Sequence, residues 1–306
     1  MTRSLNVGIR LCPRGPSEYA VWRDTVRRAE DLGADVIFCT DQVQHPAVGV
    51  NRGVVTEFHG WTALASWGEI TNRAQIGIFV MGIGYRNVDE LADMARTIDS
   101  ISCGRLIFGI GNHEPGQVVS RYGKDYSQYR HDTTTSQMNR LEAALQHLGW
   151  RLSKNASPQA HSIPIAMCGS GSPRMLGLIA RHAQTWHTAL DVAAFRRDSA
   201  ILDQMTDELD EHPGVTRSAT WTGKSAADVL LAEGVSTFIA EITPESHRDL
   251  AVLEDMIKWR QCQLNDAANE RSTRRDTQQA RRAKVPSTEV TSPGCHPARS
   301  VSVRLL

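Results

Sequence analysis

Two rhythms of apolar and polar positions take turns along this chain. Short apolar runs bounded by glycine, proline or polar turn clusters predict strands at 5–11, 35–40, 74–80, 105–109, 163–168, 184–188, 218–222 and 235–240. Between them apolar residues recur three and four apart, the spacing that gathers them on one helix face. Trp22, Val26, Ala29 and Leu32 form such a stripe, followed by Leu91, Ala95 and Ile98, by Met138, Leu141, Leu145 and Leu148, and by Leu250, Leu253 and Ile257. Ser17 stands ahead of the first helix, and Ser172-Pro173 offers an N-cap followed by proline at the first helical position. Trp22, Trp61, Trp67 and Trp150 fall on helical stripes and read as packing residues.

Eight strands alternating with about eight helices predict parallel βα units. A (β/α)8 TIM barrel takes roughly 250 residues, and the units end near residue 262. An open doubly wound sheet would bring G-x-G-x-x-G after its first strand, which is missing here. The expectation is a TIM barrel over residues 1–265. Two regions fall outside it. Residues 112–133 form an extended loop after strand 4, with Tyr122, Tyr126 and Tyr129, and a loop of that length predicts a lid or binding loop. Residues 266–306 are poor in apolar positions and carry Arg271, Arg274, Arg275, Arg281, Arg282 and Lys284, which predicts a disordered basic tail.

Composition narrows the function classes. The 306 residues include 34 Lys+Arg and 34 Asp+Glu, so no net charge is available to neutralise a phosphate backbone, and a nucleic-acid partner is not expected. No apolar run reaches the length of a membrane span, and the first residues, MTRSLNVGIRL, lack the apolar core of a secretory signal. Cys12, Cys39, Cys103, Cys168, Cys262 and Cys295 lie far apart with no C-x-x-C pair, as for reduced thiols in a cytoplasm.

A TIM barrel works at the C-terminal ends of its strands, which shortens the list of candidates. Strand 2 ends at Asp41, Gln42 and His45, strand 4 at Gly111, Asn112, His113 and Glu114, strand 5 at Gly169, Ser170, Gly171 and Ser172, and strand 6 at His187. The 169–172 stretch carries two glycines ahead of a helix N-terminus, a pattern that suits either a phosphate cradle built from backbone N–H groups or a plain capped turn. Glu114 is a candidate general acid or base, or else a solvated loop residue. Asp41 follows an apolar strand and would accept hydrogen bonds from a ligand or cap the next turn. No H-E-x-x-H, G-x-S-x-G, Walker loop or metal-ligand cluster occurs.

Several stretches together resemble one family. RRAEDLGADVIFCTD, GWTALASWGEITNRAQIGIFVMGIGYRNVDELADMARTIDSISCGRLIFGIG and IPIAMCGSGSPRMLGLIARHAQTWHT are similar to the bacterial-luciferase-like superfamily, and most to its coenzyme F420-dependent oxidoreductases. The combination of T-x-R-x-x-x-G, Arg86, T-x-D-x-x-S-x-G-R and G-x-G carries the resemblance from about residue 5 to 260. It implies a (β/α)8 barrel holding a deazaflavin ring at its mouth. Asp41 would lie near the ring, and the Phe79–Val80 peptide, often cis in relatives, would form a bulge behind it. Gly111, Asn112 and His113 with residues 169–172 would hold the cofactor phosphate, and Glu114 would donate a proton to the cofactor. The family's Asp-His pair is Asp41-Gln42 here, which leaves Gln42, His45 and His187 as substrate-side candidates. The resemblance thus implies hydride transfer between coenzyme F420 and a small organic substrate, by a cytoplasmic protein of a family in which dimers are common. An FMN-dependent monooxygenase and a non-catalytic flavin- or deazaflavin-binding protein are the alternatives.

Overall fold

The eight strands observed are β1 (Asn6–Leu11), β2 (Val36–Cys39), β3 (Gln75–Gly82), β4 (Leu106–Gly111), β5 (Ile165–Cys168), β6 (Thr185–Thr188), β7 (Thr216–Thr220) and β8 (Val235–Ile242). Each pairs in parallel with the next, and β8 returns to β1 to close a barrel. The computed structural model describes residues 4–11, 19–40, 58–82, 86–111, 134–153, 162–169, 171–209, 214–242 and 249–283. Among these, the helices are α1 (Tyr19–Leu32), α2 (Gly60–Ile70), α3 (Val88–Ile101), α4 (Thr134–Arg151), α5 (Pro173–His182), α6 (Val192–Asp207), α7 (Lys224–Ala232) and α8 (Ala251–Ala283). The TIM-barrel expectation is met.

Strand alternation sorts the core into two layers. Ile37, Cys39, Ile76, Ile78, Phe108 and Met167 point outward and join Trp22, Leu64, Leu91 and Leu176 of the helices in the larger cluster. Val36, Phe38, Phe79, Ala166 and Ile239 point inward, with Ile107 and Cys168 against them. Gly109 is required by this inner packing: a Cβ there would sit 2.0 Å from the Ile78 carbonyl oxygen and 3.0 Å from the Phe79 ring. Its absence lets Phe79 fill the barrel beside Phe38, with ring centroids 4.8 Å apart.

The N-terminal end of the barrel is locked by two charged side chains. Glu30, on α1, accepts the backbone N–H groups of Asn72, Arg73 and Ala74 at 2.7–3.0 Å, while Arg73 donates back to the Glu30 carbonyl. Arg105 donates to the Thr71 hydroxyl and to the carbonyls of Gly68, Thr71 and Ala74. Thr71, Arg73, Gly77, Thr97, Asp99, Ser102, Gly104 and Arg105 are the fixed letters of the two longer motifs that carry the resemblance. They hold the α2–β3 and α3–β4 turns. Gly104 takes a φ of +83°, and Ser102 donates to the Asp99 carbonyl.

Four expectations are corrected. β7 lies two residues earlier than predicted, because its inward positions are hydroxyls and Trp221 drew the apolar window forward; Trp221 lies past the strand and donates its N–H to the Ile239 carbonyl. Trp150 is 61% exposed, since Leu141, Leu145, Leu148 and Leu152 already occupy the buried face. Ser172 is the N-cap of α5, but its side chain makes no capping hydrogen bond. Residues 266–283 continue α8 as helix, in keeping with the twelve Ala, Gln, Arg and Glu residues among these eighteen, all good helix formers. The chain divides into units Met1–Gln261 and Cys262–Leu306, four residues earlier than the predicted boundary. Ser17, the loop 112–133 and residues 284–306 lie outside the described residues.

Candidate active site

The C-terminal end of β3 departs from regular pairing. Ile78 pairs with Phe108 and Met81 with Ile110, so Phe79 and Val80 together face Gly109. The resulting bulge turns the strand end at the barrel mouth, where the resemblance led one to expect it. Phe79 is fully buried and meets His187 edge-on, with ring centroids 4.6 Å apart.

His187 faces the interior from β6. It is 6% exposed, its Nδ1 lies 2.9 Å from the Ser218 hydroxyl and its Nε2 3.2 Å from the Thr220 hydroxyl. Burial, and then the neighbouring Arg10 guanidinium, lower its pKa to about 3, so the ring is neutral near pH 7. Burial likewise pushes the Cys168 thiol up to about 12, with Arg10 pulling weakly the other way. That thiol is not a nucleophile at neutral pH. Arg10 donates to Glu241 at 2.7 Å across the β1–β8 seam, with 27% and 53% of the two side chains exposed.

The 169–172 loop has a more specific construction than its sequence shows. The Gly169 carbonyl accepts Trp186 Nε1–H at 2.8 Å, and a Cβ on Gly169 would strike the Met175 side chain at 2.6 Å. Gly171 has a φ of +73° and gives its N–H to the buried Asp198 carboxylate at 2.8 Å. Asp198 also accepts Arg197 Nε–H at 2.9 Å. The Gly171 N–H is therefore committed to the protein, whereas the Ser172 hydroxyl leaves the first turn of α5 uncapped. An uncapped helix N-terminus with an exposed serine fits a phosphate group.

On the other side of the mouth, His59 Nε2 and Arg86 Nη2 lie 3.1 Å apart, ahead of α2 and after β3. Among the predicted site residues, Phe79, Gly111, Gly169, Gly171, Ser172 and His187 lie at or beside the C-terminal end, as does the Val80 backbone. Asp41, Gln42, His45, Asn112, His113, Glu114 and Ser170 lie outside the described residues. Sequence reasoning missed Arg10, Glu241, Ser218 and Thr220. Their signal was parity: each sits at an inward position of a strand where an apolar residue is the rule. Among the described residues, no cluster of His, Cys, Asp or Glu could hold a metal ion, and no helix is long and apolar enough to cross a membrane.

The closed parallel barrel carries its bulged β3 at the mouth, the end where TIM-barrel enzymes work. The sequence model of the luciferase-like monooxygenases matches residues 9–290, and the chain belongs to that family. A Mycobacterium tuberculosis protein bearing the provisional name coenzyme F420-dependent oxidoreductase is 26% identical over 266 residues, covering 80% of this chain and 72% of that protein. Solved structures share the fold. An F420-dependent secondary alcohol dehydrogenase in complex with an F420-acetone adduct superposes with a TM-score of 0.67 at 12% identity, over 83% of this chain and 98% of its own. The coenzyme F420-dependent tetrahydromethanopterin reductase of Methanopyrus kandleri gives 0.60 at 14%, over 84% and 99%. The monooxygenase RslO1 of Streptomyces bottropensis gives 0.63 at 12%, over 83% and 98%.

Proposed function

We propose that this enzyme transfers a hydride between coenzyme F420 and a small organic substrate at the barrel mouth. The observation that carries the reading is the β3 bulge at Phe79 and Val80, which offers a wall for one face of a flat tricyclic ring. The relative from Mycobacterium tuberculosis and the first two structural neighbours favour a deazaflavin over a flavin. When bound, the cofactor supplies a carbon centre that accepts and gives hydride and activates oxygen poorly.

The chain's own residues bind, orient and protonate. Phe79 and the Val80 backbone would back the ring, and Asp41 would serve it from the end of β2. Gly111, Asn112, His113, Gly169, Ser170 and Ser172 hold the phosphate. The donors from α5 are the Ser172 hydroxyl and the first-turn N–H groups, and Gly171 shapes the turn through Asp198. Gln42 and His45 contact the substrate, and His187 serves that side from behind Thr220. Glu114 would hold the proton that reduction of the cofactor calls for, or fix the water that carries it. The reading takes the protein as cytoplasmic, of a family in which dimers are common, with no nucleic-acid or membrane partner.

Titration of the purified protein with F420 and with FMN, followed by cofactor absorbance, tests the reading. F420 is expected to bind more tightly. Preferential binding of FMN with oxygen consumption would replace it by the monooxygenase chemistry named for the Streptomyces neighbour. Binding without reduction by any donor would leave a cofactor-binding protein. Glu114→Gln keeps size and hydrogen bonding, so cofactor affinity is expected to hold while single-turnover reduction slows by about 100-fold. An unchanged rate and pH profile would remove Glu114 from the chemistry.

A further inference from the structure

One wall of the barrel differs from the rest. β2 to β5 and β8 fill the interior with Val36, Phe38, Phe79, Ile107, Ala166 and Ile239. β6 and β7 instead turn Thr185, His187, Thr216, Ser218 and Thr220 to the inside. Thr185 and Thr216 hydroxyls lie 2.9 Å apart, Ser218 Oγ is 2.9 Å from His187 Nδ1, and Thr220 Oγ1 is 3.2 Å from His187 Nε2. Thr216 and Ser218 also line a cavity of about 190 Å³ beneath Phe79, together with Asn6, Gln75, Thr185 and Thr237. Its other side is the apolar layer around Phe38 and Phe79, and a space of that size, polar on one side, holds several waters, each taking about 30 Å³ and two or more partners. Thr216 is exposed at the N-terminal end of the barrel. A string of hydroxyls and cavity space therefore runs from that face to the mouth, interrupted only by one buried imidazole.

We propose that this wall is a proton relay, with His187 as the relay residue, joining the barrel mouth to solvent at the opposite face. Neutral imidazole suits the task, because one ring nitrogen donates while the other accepts. Thr220 takes a proton from the mouth and gives its own to Nε2. The proton on Nδ1 passes to Ser218 Oγ, and the Ser218 proton passes to a cavity water. Each hop breaks one N–H or O–H bond and forms another, no electrons move, and the ring changes tautomer without gaining charge. A proton travelling the other way in the return half of a redox cycle restores the first tautomer. The inference rests on the redox reading of the mouth: where hydride moves, water is excluded in front, and a back exit for protons becomes useful.

The test measures exchange of the His187 ring N–H with solvent, by NMR on the full chain labelled with 15N-histidine, free and saturated with F420. The signal is identified by its loss in His187→Gln. Ser218→Ala is expected to slow the exchange about tenfold or more in both samples, roughly the worth of one hydrogen-bonded hop. Ser218→Thr, which restores a hydroxyl, is expected to return it to near the wild-type rate. Ser218→Val matches threonine in shape and supplies the contrast should the alanine variant fold poorly. Equal rates in wild type and the hydroxyl-free variants overturn the relay, and so does a wild-type ring proton too slow to exchange. F420 binding is read separately from its absorbance. Failure to bind sinks the cofactor reading, and the exchange rates of the free protein still decide the relay.

Discussion

The two ends of this barrel are built on different terms. At the N-terminal end, Glu30 and Arg105 tie three segments together through backbone groups, and nearly every polar atom they present is partnered within the protein. At the C-terminal end, polar groups sit in less regular company: a neutral imidazole between hydroxyls, a half-exposed ion pair and a helix N-terminus without its cap. The two longer motifs that make the family recognisable belong to the first end, while Arg86 and G-x-G lie at the second. They report the fold, and the chemistry has to be argued from the second. A variant at the first end should lower stability and leave ligand binding alone, and a variant at the second should do the reverse.

Arg105→Met gives the largest expected effect. The substitution keeps the length of the stem and removes the donors that four acceptors use. Orphaned, part-buried carbonyls and the Thr71 hydroxyl should cost about 3 kcal/mol or more. For a barrel of this size the melting temperature should fall by roughly 6–12 °C. Chemical denaturation measures the loss, and F420 affinity of the folded fraction should match wild type. A melting temperature within 2 °C of wild type, on the order of one kcal/mol or less, would show that the lock is ornamental and would erase the contrast.

Glu30→Gln comes next. Burial alone would raise the Glu30 pKa, but the N–H groups of Ala74, Arg73 and Asn72, with the Arg105 charge, outweigh it and hold the carboxyl below its usual range. A depressed folded-state pKa means stability that is fully present above the unfolded value, about 4.3, and lost as pH falls through the folded one. Glutamine keeps an acceptor but loses the charge, so about 2 kcal/mol should be missing at pH 7. The stability curves of the two proteins should converge below about pH 4. Parallel curves down to pH 3 would place the carboxylate outside the lock.

How much of this was legible in the sequence differs in the same way between the two ends. The barrel was readable because eight apolar runs and the stripes between them are local patterns. Only β7 slipped, where Thr216, Ser218 and Thr220 replace the apolar residues that mark a strand. The Arg10–Glu241 pair was not readable, because it exists only once β8 closes on β1 and brings residues 231 apart in sequence together. The same holds for Ser218 and Thr220, which reach His187 from the next strand. Gly169 invited a ligand explanation, yet it makes room for the Met175 side chain, as Gly109 does for the Ile78 carbonyl and the Phe79 ring. A glycine at a strand end says that something comes close, and the sequence does not say what.

The smallest effect belongs to Ser172→Ala, and it bears on the mouth alone. In an ordinary α-helix the N-cap serine bonds a first-turn N–H, and its loss costs the protein about 1 kcal/mol. Ser172 makes no such bond and is exposed, so the alanine variant should melt within about 1 °C of wild type. If the hydroxyl instead donates to a cofactor phosphate, its removal should weaken F420 binding by about ten- to hundredfold, the worth of one hydrogen bond to a charged acceptor. Gly171 is a poorer probe: at its φ of +73° any side chain strains the backbone, so a loss of binding there would not separate contact from distortion. Isothermal titration of wild type and Ser172→Ala, beside their melting curves, measures both quantities on the same samples. A lower melting temperature with unchanged affinity would make Ser172 a cap in solution and move the phosphate elsewhere on the mouth. Unchanged stability with weakened binding would assign the first turn of α5 to the ligand, and would set it apart from every polar group at the opposite end.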